Sequence, residues 1–164
     1  MTNSKFAGGI IVVIICGLVL LGNNITSAQS PTTRGVVGTW NFTGAIAGNP
    51  PLPIIFVMTF QQGGTTVEFD TFATGNPSTQ ETISLGTWQS TGSSTSAFKE
   101  ENYAYDSSGN LSKMAIATAN LTLDSTGNSA TGTGSINFYS CAVSQCPGVL
   151  LSGPVLLTFS GERI

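Results

Sequence analysis

The sequence predicts an all-β fold, an eight-stranded antiparallel up-and-down barrel that follows an N-terminal signal peptide. Apolar and polar residues alternate with period two along much of the chain, in stretches rich in β-branched and aromatic residues. Clusters of Gly, Pro, Asn and Ser separate these stretches at regular intervals. No stretch after residue 28 keeps the apolar stripe of an amphipathic helix over several turns, so we expect little helix.

Residues 1–28 have the organisation of a secretory signal peptide. Lys5 and the α-amino group give a positive start, an apolar stretch runs from Ile10 to Leu21, and small polar residues lead to Ala28. This order predicts cleavage after Ala28 and an extracellular or periplasmic protein. The alternative is an uncleaved membrane anchor, which is less favoured because the apolar segment is at the short edge of what spans a bilayer.

The remainder divides into a flexible segment, 29–35, and a barrel domain, 36–164. Within the domain the alternating stretches predict eight strands, near 36–44, 54–60, 65–72, 82–91, 95–105, 111–123, 129–140 and 150–163. Short turns between consecutive strands favour neighbour-to-neighbour order, and closure into a barrel leaves no exposed sheet edge. A two-sheet β-sandwich is the alternative architecture.

Two of the predicted turns are near copies of each other. Asp106–Asn110 reads D-S-S-G-N, and Asp124–Asn128 reads D-S-T-G-N. A calcium loop would need six or more oxygen ligands, whereas each copy has one carboxylate. We therefore interpret both as hairpin turns, in which Asp accepts hydrogen bonds from its own backbone and Gly adopts a positive φ.

The alternation does not decide which strand face points into the barrel. In strand 111–123, Ala117 and Leu121 share one face and Thr118 and Thr122 the other. The lumen is therefore expected to be either apolar or lined by hydroxyls. Small residues on the apolar face would allow close approach of whatever fills the lumen.

Composition excludes several classes of function. The chain has 164 residues with 5 Lys+Arg, 8 Asp+Glu, no His and 3 Cys. So few basic residues give no electrostatic footprint for nucleic acid. Without His the chain lacks the commonest metal ligand and the base of a hydrolase triad. We expect no metal and no cofactor, no membrane contact after signal cleavage, and make no prediction of oligomeric state.

Cys141 and Cys146 remain once the signal peptide is removed. Two cysteines this close in an oxidising compartment predict a small disulfide that pins a loop. A redox-active pair would more often be spaced C-x-x-C. Pro147 and Gly148 directly after the pair strengthen the prediction of a turn.

Two short motifs carry a resemblance to a known family. Gly38-Thr39-Trp40 opens the first predicted strand, and Arg163 lies near the end of the last. This resembles the calycins, the lipocalin and avidin-like barrels, in which a G-x-W begins the first strand and a basic residue packs on the Trp. The resemblance implies the barrel and a Trp40–Arg163 contact, worth about 0.5–2 kcal/mol. The chain also resembles uncharacterised secreted bacterial proteins with S-L-G-T-W, here Ser84 to Trp88.

The candidate ligand contacts come from aromatic and charged residues of this predicted barrel. They are Trp40, Trp88, Glu101, Tyr103, Tyr105 and Arg163. For both Trp residues, a plain core position is favoured over direct ligand contact. Lys99, Glu101, Tyr103 and Tyr105 alternate along one strand face, which would offer an acid, a base and two phenols if it points inward. The favoured alternative is a solvated face with a weak Lys99–Glu101 pair.

Other carboxylates could also supply the acid and base for proton transfer. Glu68 and Asp70 share a strand face, and only one of the adjacent Glu100 and Glu101 can enter a lumen.

Three functions follow from the predicted fold. The leading hypothesis is a secreted barrel that binds a small apolar or amphipathic molecule. The alternatives are a non-catalytic structural or surface protein with a filled barrel, and an isomerase or cyclase of the allene-oxide-cyclase-like type.

Overall fold

The computed structural model describes residues 35–71 and 80–164, and these residues form a closed antiparallel β-barrel. The strands are β1 (Gly38–Ile46), β2 (Leu52–Phe60), β3 (Thr65–Asp70), β4 (Gln80–Glu81), β5 (Ser84–Ser90), β6 (Thr95–Tyr105), β7 (Leu111–Leu123), β8 (Ser129–Ser140) and β9 (Leu150–Arg163). The predicted signal peptide, most of segment 29–35 and the alternative of an N-terminal anchor lie outside the described residues.

Eight of the nine strands build the barrel wall in up-and-down order. β1 pairs with β2 and with β9, and the circuit continues through β3, β5, β6, β7 and β8. β4 is a two-residue strand that pairs with β6 beyond the end of β5. The β6–β7 pairing closes the sheet, with one register shift between Ala104 and Tyr105. The barrel prediction is confirmed, and the sandwich alternative is wrong because the sheet is continuous.

Alternation along the strands sends one set of side chains into the lumen. In β7 and β8 the inward set is the Ala- and Gly-rich face, which carries Ala119, Leu121 and Ala130 into the core. The hydroxyl-bearing face, with Thr118 and Thr122, is exposed. The structure therefore settles the question that the sequence left open, in favour of a mainly apolar lumen.

One end of the lumen is filled by aromatic rings. Phe42 stacks between Trp40 and Phe56, with ring centroids 5.9 and 4.9 Å away. Phe159 meets Phe42 edge-on at 5.3 Å, and Phe98 lies 6.1 Å from Phe159. Trp40 and Phe42 are completely buried. This cluster forms the hydrophobic core that holds the strands together.

Glycine makes room for this cluster where two strands approach. Gly132 in β8 lies opposite Phe159 in β9, and a Cβ at Gly132 would collide with the Phe159 ring. A second such position is Gly86 in β5, where a Cβ would lie 2.6 Å from Glu100 Cγ and 2.7 Å from Thr66 Oγ1. These two positions therefore require glycine, because neighbouring side chains fill the space that a Cβ would occupy.

Arg163 closes the aromatic end of the barrel. Its guanidinium lies 4.4 Å from the Trp40 ring centroid, so the contact that the resemblance implied is present. The same guanidinium donates hydrogen bonds to the carbonyls of Gly127, Gly35 and Val37, at 3.0 Å for Gly127 and 2.8 Å for Gly35. Arg163 thereby ties the start of the domain and the β7–β8 turn to the last strand.

The two repeated turns have the predicted hairpin geometry. Asp106 Oδ1 accepts hydrogen bonds from the backbone N–H groups of Ser108 and Asn110, both at 2.9 Å. Asp124 Oδ1 accepts one from Asn128 N–H at 3.2 Å. Gly109 and Gly127 have φ values of 79° and 71°. The turn prediction is confirmed.

The connection between β8 and β9 carries the predicted disulfide, Cys141–Cys146. This loop folds over the outside of the barrel, where Cys146 Sγ lies 3.7 Å from Met114 Sδ. Met114 is buried although its neighbours Lys113 and Ala115 line the lumen.

The disulfide fits an extracellular or periplasmic protein. None of the described residues forms a helix with the length and apolar character of a membrane span.

Candidate functional site

The lumen is not filled along its whole length. At the end opposite Arg163, the barrel encloses a cavity of about 570 Å³. Strands β1 to β9 all contribute to its lining, which begins where the aromatic cluster ends, at Phe56 and Phe98. An eight-stranded barrel has room for one small ligand when side chains do not fill it. The cavity is therefore the candidate binding site.

Most of the cavity wall is apolar. The lining side chains from β1, β2, β7, β8 and β9 are apolar except for Lys113; they include Ile54, Phe56, Ala117, Ile136, Phe138 and Leu157. Ala115 and Ala117 in β7 leave space that larger residues would occupy. This part of the wall can bind the hydrocarbon body of a ligand through the hydrophobic effect.

The opposite wall, from β3 to β6, carries most of the polar lining residues, beside the apolar Phe98 and Ala104. Glu68 and Asp70 enter the cavity from β3, Ser84 from β5, and Glu100 from β6. The strand register explains their grouping, because Glu68 lies directly opposite Ser84 and Gly86 lies between Thr66 and Glu100. We call the two innermost carboxyl groups, those of Glu68 and Glu100, the inner pair.

The inner pair is almost completely shielded from solvent. Glu68 is 8% exposed and Glu100 is 2% exposed. Among the described residues, Glu100 Oε1 has no hydrogen-bond partner, and neither has Thr66 Oγ1 in β3, on the far side of Gly86. Thr66 and Glu68 lie close enough to the Glu100 carboxyl group to limit the rise of its pKa. Buried polar atoms are normally paired, and leaving one unpaired costs about 1–3 kcal/mol. The fold therefore retains a costly unpartnered acceptor on a residue that lines the cavity.

Burial changes the proton affinity of the inner pair. It raises the pKa of Glu100 to about 7. Burial also raises the pKa of Glu68 well above its usual range, and repulsion from Glu100 adds to the rise. Near neutral pH the pair therefore exchanges protons with its surroundings, unlike a solvated Glu, which is fully ionised there.

A second group of charged residues lies nearer the mouth. Glu81 and Lys113 line the cavity there, and Asn102 Nδ2 donates a hydrogen bond of 3.4 Å to Glu81 Oε2. Partial burial raises the pKa of Glu81, as does repulsion from Asp70, whereas the Asn102 hydrogen bond and the positive charge of Lys113 oppose the rise. Lys113 is the one lining residue that carries a positive charge.

Glu101, the acidic residue that the sequence indicates as a candidate ligand contact, faces away from the cavity. Because Glu100 points inward, Glu101 points outward, where its carboxylate accepts a 2.8 Å bond from Lys99 Nζ. Tyr103 and Tyr105 have the same parity as Glu101 and do not line the cavity. The favoured sequence interpretation, a solvated face with a Lys99–Glu101 pair, describes this arrangement; inward placement of these four side chains is wrong.

The other candidate contacts lie at the filled end. Trp40 is buried in the aromatic cluster under Arg163, and Trp88 Nε1 donates to the Gln61 carbonyl at 2.8 Å. Neither Trp nor Arg163 lines the cavity. Direct ligand contact by any of these residues stays a prediction. The contacts that they make in the structure stabilise the fold.

Sequence reasoning did not select Glu100, although a signal was present. Phe98 and Glu100 are separated by one residue and therefore share a strand face. Since a Phe in the middle of a strand faces the core, the same parity places Glu100 inside. The general rule that charged residues are exposed points the other way and masks this signal. Glu68 and Asp70 share a strand face as expected, since both line the cavity, and the structure also brings Glu68 close to Glu100.

Comparisons with known proteins found no family model that matches the chain, and no curated protein or solved structure that matches it significantly. The closed eight-stranded barrel is compatible with a calycin-like fold. Within residues 35–71 and 80–164, no cluster of three or more His, Cys, Asp or Glu side chains is arranged to hold a metal ion.

Proposed function

We propose that this protein binds a small amphipathic molecule inside its barrel. The observation that carries the proposal is a cavity of about 570 Å³ with an apolar wall on one side and buried carboxyl groups on the other. A ligand with a hydrocarbon body and a polar head would satisfy both walls at once. A cavity of this size that the side chains leave unfilled favours a binder over a structural barrel filled by its own side chains.

A matched pair of variants tests this proposal. Ala117 lines the cavity, whereas Thr118, the next residue, is exposed on the outside. We expect decanol to bind the wild type and the Thr118→Phe variant alike, as measured by isothermal titration calorimetry. Ala117→Phe would fill the cavity and weaken binding by at least about tenfold, which corresponds to about 1.4 kcal/mol. Equal binding by all three proteins, or no binding by the wild type, would contradict the proposal.

A secreted location completes the proposal. The Cys141–Cys146 disulfide supports an oxidising compartment, and residues 1–28 have the organisation of a signal peptide. Mass spectrometry of the protein recovered from outside the cytosol should give a chain that begins at Gln29 and lacks the two hydrogens lost in disulfide formation. A mass that retains residues 1–28 would instead support an anchor.

Proton transfer is a second candidate function, and the inner pair favours it. A carboxyl group whose pKa is raised to about 7, as that of Glu100 is, can act as acid or base near neutral pH. Nitrobenzisoxazole, which opens when a base removes its ring proton, is a suitable test substrate. Acceleration by the wild type that is lost in Glu68→Gln and Glu100→Gln would support catalysis, whereas a rate equal to that of free acetate would argue against it.

A further inference from the structure

We propose that the ligand's polar head is a protonated amine, held between the carboxyl groups of Glu68 and Glu100 while its hydrocarbon body lies against the apolar wall. This inference rests on the proposed binding function and specifies the ligand class. It follows from the charge of the cavity, from the unpartnered carboxyl oxygen and from the separation of the two walls.

The charges that line the cavity are predominantly negative. The ionisable lining residues are Glu68 and Asp70 from β3, Glu81 from β4, Glu100 from β6 and Lys113 from β7. Four carboxyl groups thus share the space with one ammonium group. The lining residues of β1, β2, β5, β8 and β9 include none that ionise. An anionic ligand would meet repulsion here, and a cation would be attracted.

Lys113 does not neutralise the inner pair. Its charge acts on Glu81, nearer the mouth, and among the described residues neither Glu68 nor Glu100 forms an ion pair. Buried carboxylates are ordinarily paired with a cation or else hold a proton. An ammonium group from a ligand would supply the cation that the protein does not.

The unpartnered oxygen marks where the head group would bind. Glu100 lines the cavity and is 2% exposed, and its Oε1 lacks a hydrogen-bond partner among the described residues. The neighbouring Gly86 lets the Glu100 side chain pack against β5, because a Cβ at that position would lie 2.6 Å from Glu100 Cγ. An ammonium group has three N–H donors and no acceptor, which suits a set of carboxyl oxygens. A hydroxyl head would donate one hydrogen bond.

Proton exchange by the pair predicts a pH dependence of amine binding. Burial raises the pKa of Glu100 to about 7 and that of Glu68 well above its usual range, so without a bound cation Glu100 is partly protonated near neutral pH. A bound cation favours the ionised carboxylates and so displaces a proton. Amine affinity should therefore rise with pH from about 6 to about 8, with release of protons to the buffer, since an alkylamine stays protonated throughout.

Calorimetric titration with decylamine, decanol and decanoate tests the inference on the full mature protein. At about pH 8 we expect decylamine to bind about ten- to a hundredfold more tightly than decanol, the gain of a charge-assisted hydrogen bond. Decanoate should bind most weakly. Decylamine heats should differ between buffers of different ionisation enthalpy, because protons are released. Equal affinities for decylamine and decanol, or no proton release, would overturn the amine inference and leave the binding function intact. No binding of any of the three would overturn both.

A second matched pair localises the effect. In Glu100→Gln the preference for decylamine over decanol should fall by about tenfold or more, with decanol binding retained. Glu101→Gln, one residue along β6 but on the outside, should bind both as the wild type does. Thermal unfolding confirms that each variant is folded. A preference lost in Glu101→Gln, or kept in Glu100→Gln, would place the amine elsewhere and overturn the inference.

Discussion

At the scale of single residues, Glu100 and Arg163 have opposite relations to the fold. Arg163 satisfies its hydrogen-bonding groups and closes the filled end of the barrel over Trp40. Glu100 leaves an oxygen unpartnered at the boundary of the open cavity. The first residue stabilises the barrel, whereas the second reduces its stability and adds a carboxyl group to the cavity lining.

The cost of Glu100 should be visible as a pH dependence of stability. Its pKa is 4.5 in an ordinary carboxyl and about 7 here, so the folded state holds the proton more tightly. Stability is therefore greatest below the unfolded pKa and falls as pH rises through about 7, by about 3 kcal/mol in total. Chemical denaturation at about pH 5 and about pH 8 should show this fall, and Glu100→Gln should remove much of it. A wild type whose stability is constant or rises over that range would contradict the account.

Arg163→Lys keeps a positive charge near Trp40 but loses the planar group that reaches three carbonyls. We expect the free energy of unfolding to fall by about 2–3 kcal/mol, measured by urea denaturation. Decanol affinity should be unchanged, since Arg163 does not line the cavity. Loss of decanol binding at native stability would support the direct ligand contact that the sequence suggested.

At the scale of elements, the strands β8 and β9 show how small residues position large ones. Gly132 and Gly134 hold β8 close to its neighbours, and the Phe159 ring covers Gly132. That ring packs against Phe56 and Phe98, the two aromatic residues at which the cavity begins. Substitutions in these strands should therefore affect packing without touching the polar wall.

Gly132→Ala should destabilise the barrel by about 1–3 kcal/mol, because the added methyl group collides with Phe159 and overpacks the core. Gly63→Ala is the matched control, since a Cβ at Gly63 meets nothing within 4 Å, and it should leave the melting temperature close to that of the wild type. Combining Gly132→Ala with Phe159→Leu should recover part of the loss. Equal stability of the two alanine variants would show that the close approach is unimportant.

The strands were largely predictable from the sequence, but the contents of the lumen were not. Period-two alternation and Asx turns are local signals, and they located β6 to β9 and the hairpins at Asp106 and Asp124. Which face turns inward depends on closure of the whole sheet. Glu100 shows the difficulty, because a general preference for exposed charge opposes the parity it shares with Phe98. Its pairing with Glu68 joins strands far apart in sequence.

At the scale of the whole molecule, the two ends of the barrel differ in how far side chains fill them. Trp40, Arg163 and the aromatic cluster fill the first, and the second contains the cavity with the inner pair on one wall. The outer surface also exposes apolar side chains, including Ile55, Phe69 and Leu85 on neighbouring strands. Apolar side chains therefore lie both inside the barrel and on its outer surface, and the proposed function requires a ligand at the inner ones.

A methyl-detected NMR titration with decanol distinguishes these two places and tests the central claim. The account predicts shifts in the methyl signals of residues that line the cavity, such as Ala115, Ala117, Ile136 and Leu157. The methyl groups of Ile55 and Leu85 on the outer surface should be unaffected. Shifts confined to Ile55 and Leu85, or no shifts at concentrations that saturate calorimetric binding, would contradict a ligand site inside the barrel.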